Sequence, residues 1–260
     1  MTFKVAIYSY NRSETIEKDT LDTILSMKIN PKQVHIFVAN EEEKVKYENQ
    51  IDKNKYNKII VGKLGKMNQI NFVRHYFNQG EKILNLDDDV VGIVYKYDNV
   101  YEPVSDLYSY SEMMFKLMKK YKTGLSGVFH AKQVNVGNTK NVMYIGFEPI
   151  YGPLYWTLND KNKKLNLTSK TCEDLEFTIK CYRLYGKTIR SHEVRVWDKS
   201  YTLGKIKSTM DKKQILKDHY NIVMNNQDLI KLKKITKEEI EFGYIHQSND
   251  KVIHLKRRRL

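Results

Sequence analysis

The chain has 260 residues, of which 41% are hydrophobic, and 45 Lys and Arg stand against 31 Asp and Glu, for a formal net charge of +14. That length and hydrophobic share suit one large α/β domain, or one domain with an appendage. No apolar stretch approaches a membrane span, and the N-terminus lacks a signal peptide. Two cysteines, Cys172 and Cys181, make neither a disulfide framework nor a zinc site, so a reduced, cytoplasmic, soluble protein is expected. The acceptor sequence Asn166-Leu167-Thr168 is then a chance match to a glycosylation site. The positive surplus favours a polyanionic partner, with lysine-rich composition as the bland alternative.

The first ninety residues alternate in type. Residues 4–9 (KVAIYS) read as a strand, and 13–27 as a helix capped by Ser13. Residues 34–39 (VHIFVA) are a second strand and 41–52 a polar helix. Residues 58–62 (KIIVG) are a third strand, 67–77 a helix ended by Gly80, and 83–86 a fourth strand. Such alternation implies βαβ units and a parallel sheet. No strand is followed by G-x-G-x-x-G, and Gly186-Lys187-Thr188 lacks the upstream glycine of a P-loop.

Asp87, Asp88 and Asp89 follow the fourth strand directly. Ligands of open α/β sheets bind at the carboxyl ends of the strands. Three carboxylates there need solvation or a cation, and hard oxygen donors suit magnesium or manganese beside phosphates. The plainer reading is a polar turn.

Past Val91 a helix is expected over 111–121, and strands over 124–128 and 143–147. A helix over 171–185, with Thr171 and Asp174 as a capping box and Gly186 as its stop, precedes a strand over 188–197. From Asp211 lysine-rich helices are expected. Lys205, Lys207, Lys212, Lys213, Lys231, Lys233, Lys234 and the terminal Lys256 to Arg259 gather positive charge there. The organisation is a catalytic domain over 1–205 (nucleotide half 1–90, acceptor half 91–205) and a basic helical extension over 206–260.

Taken in order, Ala6 to Arg12, Phe37 to Glu41, Asn68 to Arg74, Asp87-Asp88-Asp89 and Glu173-Asp174 resemble a glycosyltransferase of the GT-A (nucleotide-diphospho-sugar transferase) fold. That is an α/β architecture with a mostly parallel central sheet flanked by helices. The stretches 34–43 and 84–90 are similar to the phage TET-associated glycosyltransferases, which modify hydroxymethylated pyrimidines in DNA. The resemblance implies a UDP-sugar donor, Mn2+ or Mg2+, and a DNA acceptor; a viral source would place the protein in the host cytoplasm. It implies Tyr8, Tyr10, Asn11, Arg12, Asn40, Arg74, Asp87 and Asp88 as donor contacts, with Asp87 and Asp89 as metal ligands.

In that frame Asp87 and Asp89 alternate along the backbone and hold the ion against the diphosphate, while Asp88 faces the sugar or ribose. Tyr10 stacks on the base, and Asn40 hydrogen-bonds it. Arg74 is a donor contact or a surface cation. Asp174, with Glu173 second, is the general base, and its alternative role is to complement the helix dipole. His192, ahead of His246 and His254, is the third ligand candidate. The loop over 146–156, with Tyr151, Tyr155 and Trp156, is the expected acceptor wall. Competing readings are a saccharide, lipid or protein acceptor, nucleotidyl transfer, and a nucleic-acid-binding module without catalysis. Nucleotidyl transfer lacks its Gly- and Arg/Lys-rich loop after the first strand.

Overall fold

The computed structural model describes residues 2–97, 100–130, 143–150, 152–199, 212–234 and 251–255. Four parallel strands build the first half: β1 (Lys4–Tyr8), β2 (Val34–Val38), β3 (Lys58–Val61) and β4 (Lys82–Asp87), in the order β3-β2-β1-β4. Between them run α1 (a π-helical turn Glu17–Leu21 continuing as Asp22–Ser26), α2 (Glu41–Gln50) and α3 (Lys66–Tyr76). Both faces of β1 are buried. Val5 and Ile7 enter the core shared with Tyr110, Met114, Phe115 and Met118 of α4 (Leu107–Tyr121). Ala6 and Tyr8 enter the opposite core, with Ile70, Val73 and Phe77 around α3. Coverage on both sides is why this strand is apolar throughout rather than alternating.

The second half is mostly antiparallel. The order continues from β4 through β9 (Leu154–Leu158), β7 (Leu125–His130), β10 (Thr188–Asp198) and β5 (Val90–Tyr97) to β6 (Val100–Pro103), and β8 (Met143–Gly146) also pairs with β10. Within it β7 and β10 are paired parallel. Helix α5 (Glu173–Tyr185) precedes β10, and Gly186 closes it in the left-handed conformation at φ 75°.

Several expectations are corrected. Ser13 does not begin a helix, because the chain turns until Ile16. Strands β5, β6 and β9 were not foreseen. The segment expected to form an acceptor wall is in part β9, and Tyr155 and Trp156 are core residues. Pro153 stands just before that strand, where a missing N–H does no harm. Thr171 does not cap α5. Its amide and hydroxyl both donate to Asp218, so a tertiary acceptor displaces the local box. The described part of the extension is also not wholly helical: α6 (Lys212–Met224) is followed by β11 (Ile230–Lys234), paired antiparallel with β12 (Lys251–Leu255). Ile222, Val223, Leu229 and Ile230 pack with Leu175 and Ile179 of α5, so this segment is docked against that helix.

Candidate active site at the carboxyl ends of β1 and β4

Asp87 is the last residue of β4 and lies beside Tyr8 of β1. The turn after it is clamped by the buried Thr20, whose hydroxyl donates to the Asp87 carbonyl at 3.0 Å and accepts from the Val90 amide at 3.0 Å. The three carboxylates therefore face different partners. Asp87 pairs with the Lys66 ammonium. Asp88 is buried and accepts from the Ser9 hydroxyl at 2.6 Å and the Tyr10 amide at 3.2 Å. Arg12 spans Asp88 at 3.5 Å and Asp89 at 3.3 Å.

Burial drives the Asp89 pKa up to about 6, reinforced by the neighbouring Asp88 and Asp198 and opposed by Arg12 and Lys66. Asp88 is also raised by burial, against its hydrogen bonds and Arg12. Asp198 reaches this cluster from the end of β10 and pairs with His130 at 3.1 Å.

The loop after β1 is held from below by α2. Glu43 accepts from the amides of Asn11 and Ala39. The Tyr47 hydroxyl lies 2.6 Å from the Ser9 hydroxyl and accepts from the Arg12 amide at 2.9 Å. This clamp holds Asn11 at φ 55°, a left-handed conformation that asparagine tolerates. It leaves Tyr10 59% exposed beside the carboxylates, open to stack on a ligand ring.

Across the cleft stands the first turn of α5. Asp174 accepts from the Gly152 amide at 3.0 Å. Burial raises Glu173, and the adjacent Asp174 adds to it; burial raises Asp174 against the pull of Lys66. The two carboxylates thus share protons as a pair. Lys66 lies in the field of both walls. Burial lowers its pKa, while Asp174, Glu173, Asp88 and Asp89 pull it back up, and its ammonium sits 4.5 Å from the Tyr8 ring centre. Gly65, at φ 88°, forms the backbone corner that starts α3 at this point.

Tyr10, Asn11, Arg12, Asp87, Asp88 and Asp89 are brought together, with Glu173 and Asp174 opposite. Four expected contacts are placed differently. Arg74 is buried and donates to the carbonyls of Asp160 and Asn162 and to Asn166, clamping that loop rather than facing the cleft. Tyr8 is buried beneath the site and donates to Asn85 at 2.7 Å. The Asn40 carboxamide oxygen is engaged as the N-cap of α2, accepting from Glu43 at 2.8 Å. His192 stands on β10 six residues before Asp198, against the rings of Phe129 and Tyr144. Tyr151, His246, Lys205, Lys207 and Lys256 to Arg259 lie outside the described residues, as does the side chain of His254.

Lys66, Glu43, Tyr47, Thr20, His130 and Asp198 were missed. Only Lys66 had a local signal, a glycine-lysine step opening a helix after a strand.

Among solved structures the chain is similar to the mannosyltransferase PcManGT from Pyrobaculum calidifontis in complex with GDP-Man and Mn2+, with a TM-score of 0.58 and 14% identity. It is also similar to S. aureus TarS 1–349 in complex with UDP-GlcNAc, with a TM-score of 0.54 and 14% identity. The fold is GT-A. In each case 86% of this chain is covered, against 64% of the mannosyltransferase and 66% of TarS 1–349. No protein-family model and no curated protein matches the chain. In the GT-A frame, the clamped β1 loop and the aspartate turn form one wall, and α5 the other.

The donor chemistry at the turn fits a hard divalent cation: oxygen ligands, a raised Asp89 and mutually repelling carboxylates. Among the described residues no three acidic, His or Cys side chains are already gathered as a ligand set, and Lys66 and Arg12 hold the aspartates instead. No helix among the described residues is long and apolar enough to cross a membrane.

Proposed function

We propose that the chain is a metal-dependent glycosyltransferase that moves a sugar from a UDP-sugar to the hydroxyl of a hydroxymethylated pyrimidine in DNA. One arrangement carries the proposal. A buried aspartate turn beside an exposed Tyr10 faces a protonatable carboxylate pair across a GT-A cleft. The Mn2+ and sugar nucleotides named with the two similar structures agree with the donor class, and the +14 charge with a polyanionic acceptor.

Asp87 and Asp89, with Asp198 in place of His192, would hold Mn2+ or Mg2+, which supplies charge neutralisation of the departing diphosphate. Tyr10 receives the base, and Arg12, tied to the β1 loop, orients the aspartates. Glu173 is the better candidate base, because Asp174 is committed to the Gly152 amide and positions the loop. The acceptor hydroxyl gives its proton to Glu173 as its oxygen bonds to the anomeric carbon. The bond from that carbon to the phosphate oxygen breaks, and UDP leaves with the electron pair. One such displacement inverts the anomeric centre. A raised Glu173 pKa suits a base working near neutral pH.

The test is incubation with UDP-sugars and Mn2+ on plain and hydroxymethylated DNA, read by mass spectrometry of the nucleosides. A hexose added only to the hydroxymethyl base, and lost in Asp89→Asn, is expected. UDP release without DNA modification would move the acceptor to a saccharide, lipid or protein. Absence of any donor turnover would refute the enzyme.

A further inference from the structure

Arg195 on β10 is only 3% exposed, and its Nε and Nη1 have no hydrogen-bond partner. The other buried or half-buried arginines of the site half are neutralised or bonded. Arg12 spans two aspartates, Arg74 grips two carbonyls, and Arg190 pairs with Glu148. Burial lowers the Arg195 pKa, and the one group raising it is Tyr101; no carboxylate among the described residues takes part. A buried charge without a counter-ion costs several kcal/mol.

What surrounds it is aromatic. The Arg195 guanidinium carbon lies 4.4 Å from the Phe129 ring centre. Strand pairing sets Arg195 opposite Val94 of β5, and Tyr101 opposite Lys96 on the neighbouring β6. Tyr101, 42% exposed, meets the half-buried Trp197 edge-on at 6.0 Å. Arg195 precedes Asp198 by three residues, about 10 Å at the rise of a strand, and Asp198 stands in the field of Asp89.

We infer that Arg195, with Tyr101 and Trp197, is an acceptor subsite in which the guanidinium takes one backbone phosphate of single-stranded DNA and the exposed Tyr101 ring, braced edge-on by Trp197, stacks on a neighbouring base. This rests on the DNA-acceptor reading above. Cation and ring together are how sequence-tolerant strand binding works, and the distance suits a nucleotide flanking the one whose hydroxyl reacts. The missing counter-ion is then supplied by the ligand.

The experiment is fluorescence anisotropy with a labelled oligothymidylate, across a salt series, on wild type, Arg195→Met and Tyr101→Ala. Thermal melting and UDP binding are measured alongside. Arg195→Met should weaken binding about tenfold and lower the salt slope by about one, while raising the melting temperature and leaving UDP affinity unchanged. Tyr101→Ala should weaken binding by a similar factor without changing that slope. Unchanged oligonucleotide affinity in Arg195→Met, with a lower melting temperature, would make Arg195 structural and overturn the subsite. Inorganic polyphosphate competing equally well in wild type and Tyr101→Ala would overturn the nucleic-acid assignment. Because these readouts need no sugar transfer, failure of the donor assay would refute the glycosyltransferase reading and leave the subsite to be judged by binding.

Discussion

Replacing Asp89 by Asn should stabilise the fold above pH 6. Asp89 is buried with the Asp88 and Asp198 carboxylates nearby, and its pKa rises from 3.8 to about 6. Because the folded value lies above the unfolded one, the folded state holds the proton more tightly. The favourable contribution is present below the unfolded value and is lost as pH rises through about 6. At pH 8 the ionised carboxylate therefore weighs against folding. A shift of this size corresponds to roughly 3 kcal/mol at most. The attraction of Arg12 at 3.3 Å is already set against burial in that shift, so its loss needs no separate subtraction. Asn has the same shape and no charge at either pH. For a chain of this size about 3 kcal/mol translates into roughly 5–10 °C of melting temperature. The assay is thermal melting of wild type and Asp89→Asn from pH 4 to pH 8 in EDTA, so that no divalent cation repays the wild-type charge. The gain should be largest at pH 8 and vanish near pH 4. A loss of stability at pH 8, or a gain that ignores pH, would refute the reasoning.

Glu173→Gln should lower the transfer rate by about 10²–10⁴ with the UDP-sugar dissociation constant unchanged, checked by single-turnover kinetics and calorimetry; Asp174→Asn should cost less. Lys66→Met removes a cation that holds both Glu173 and Asp174 down. Their apparent pKa, followed by carboxyl-carbon NMR, should rise by about one unit, which is roughly 1.4 kcal/mol of lost attraction. A fall or no movement would remove Lys66 from the electrostatics of the cleft. Tyr47→Phe takes away the hydroxyl that joins Ser9 and the Arg12 amide, and should cost about 1–3 kcal/mol in denaturant unfolding and raise the donor KM. Arg74→Ala should destabilise by a similar amount through the orphaned carbonyls of the 160–166 loop. Donor affinity in the folded fraction should not change, measured by UDP calorimetry below the melting point.

The parallel half of the sheet was legible because β1, β2 and β4 are buried on both faces and the edge strand β3 still carries an apolar run, so local sequence gives the signal unaided. The mixed half hides its strands. β9 reads Leu-Tyr-Trp-Thr-Leu behind a proline and a glycine, a pattern as suited to a binding wall as to a core strand. Only its position between β4 and β7 makes Tyr155 and Trp156 core residues. The same division runs through the site. The aspartate turn was visible because three carboxylates in succession at the carboxyl end of an apolar strand repel one another more than an ordinary polar turn requires. The groups that fix its geometry, Thr20, Glu43 and Tyr47, look like routine helix residues, and their contacts span 32 to 70 positions of sequence. Arg74 and Asn40 are the converse case. Each is a residue type that binds ligands well, yet here each satisfies backbone groups of its own fold, Arg74 the carbonyls after β9 and Asn40 the first turn of α2. Sequence shows which side chains can do chemistry. Whether a neighbouring backbone group has already claimed one is set by tertiary contacts, and so is the company of Lys66: the glycine-lysine step marks the residue, but only the fold brings the carboxylates of α5 and of the β4 end around it.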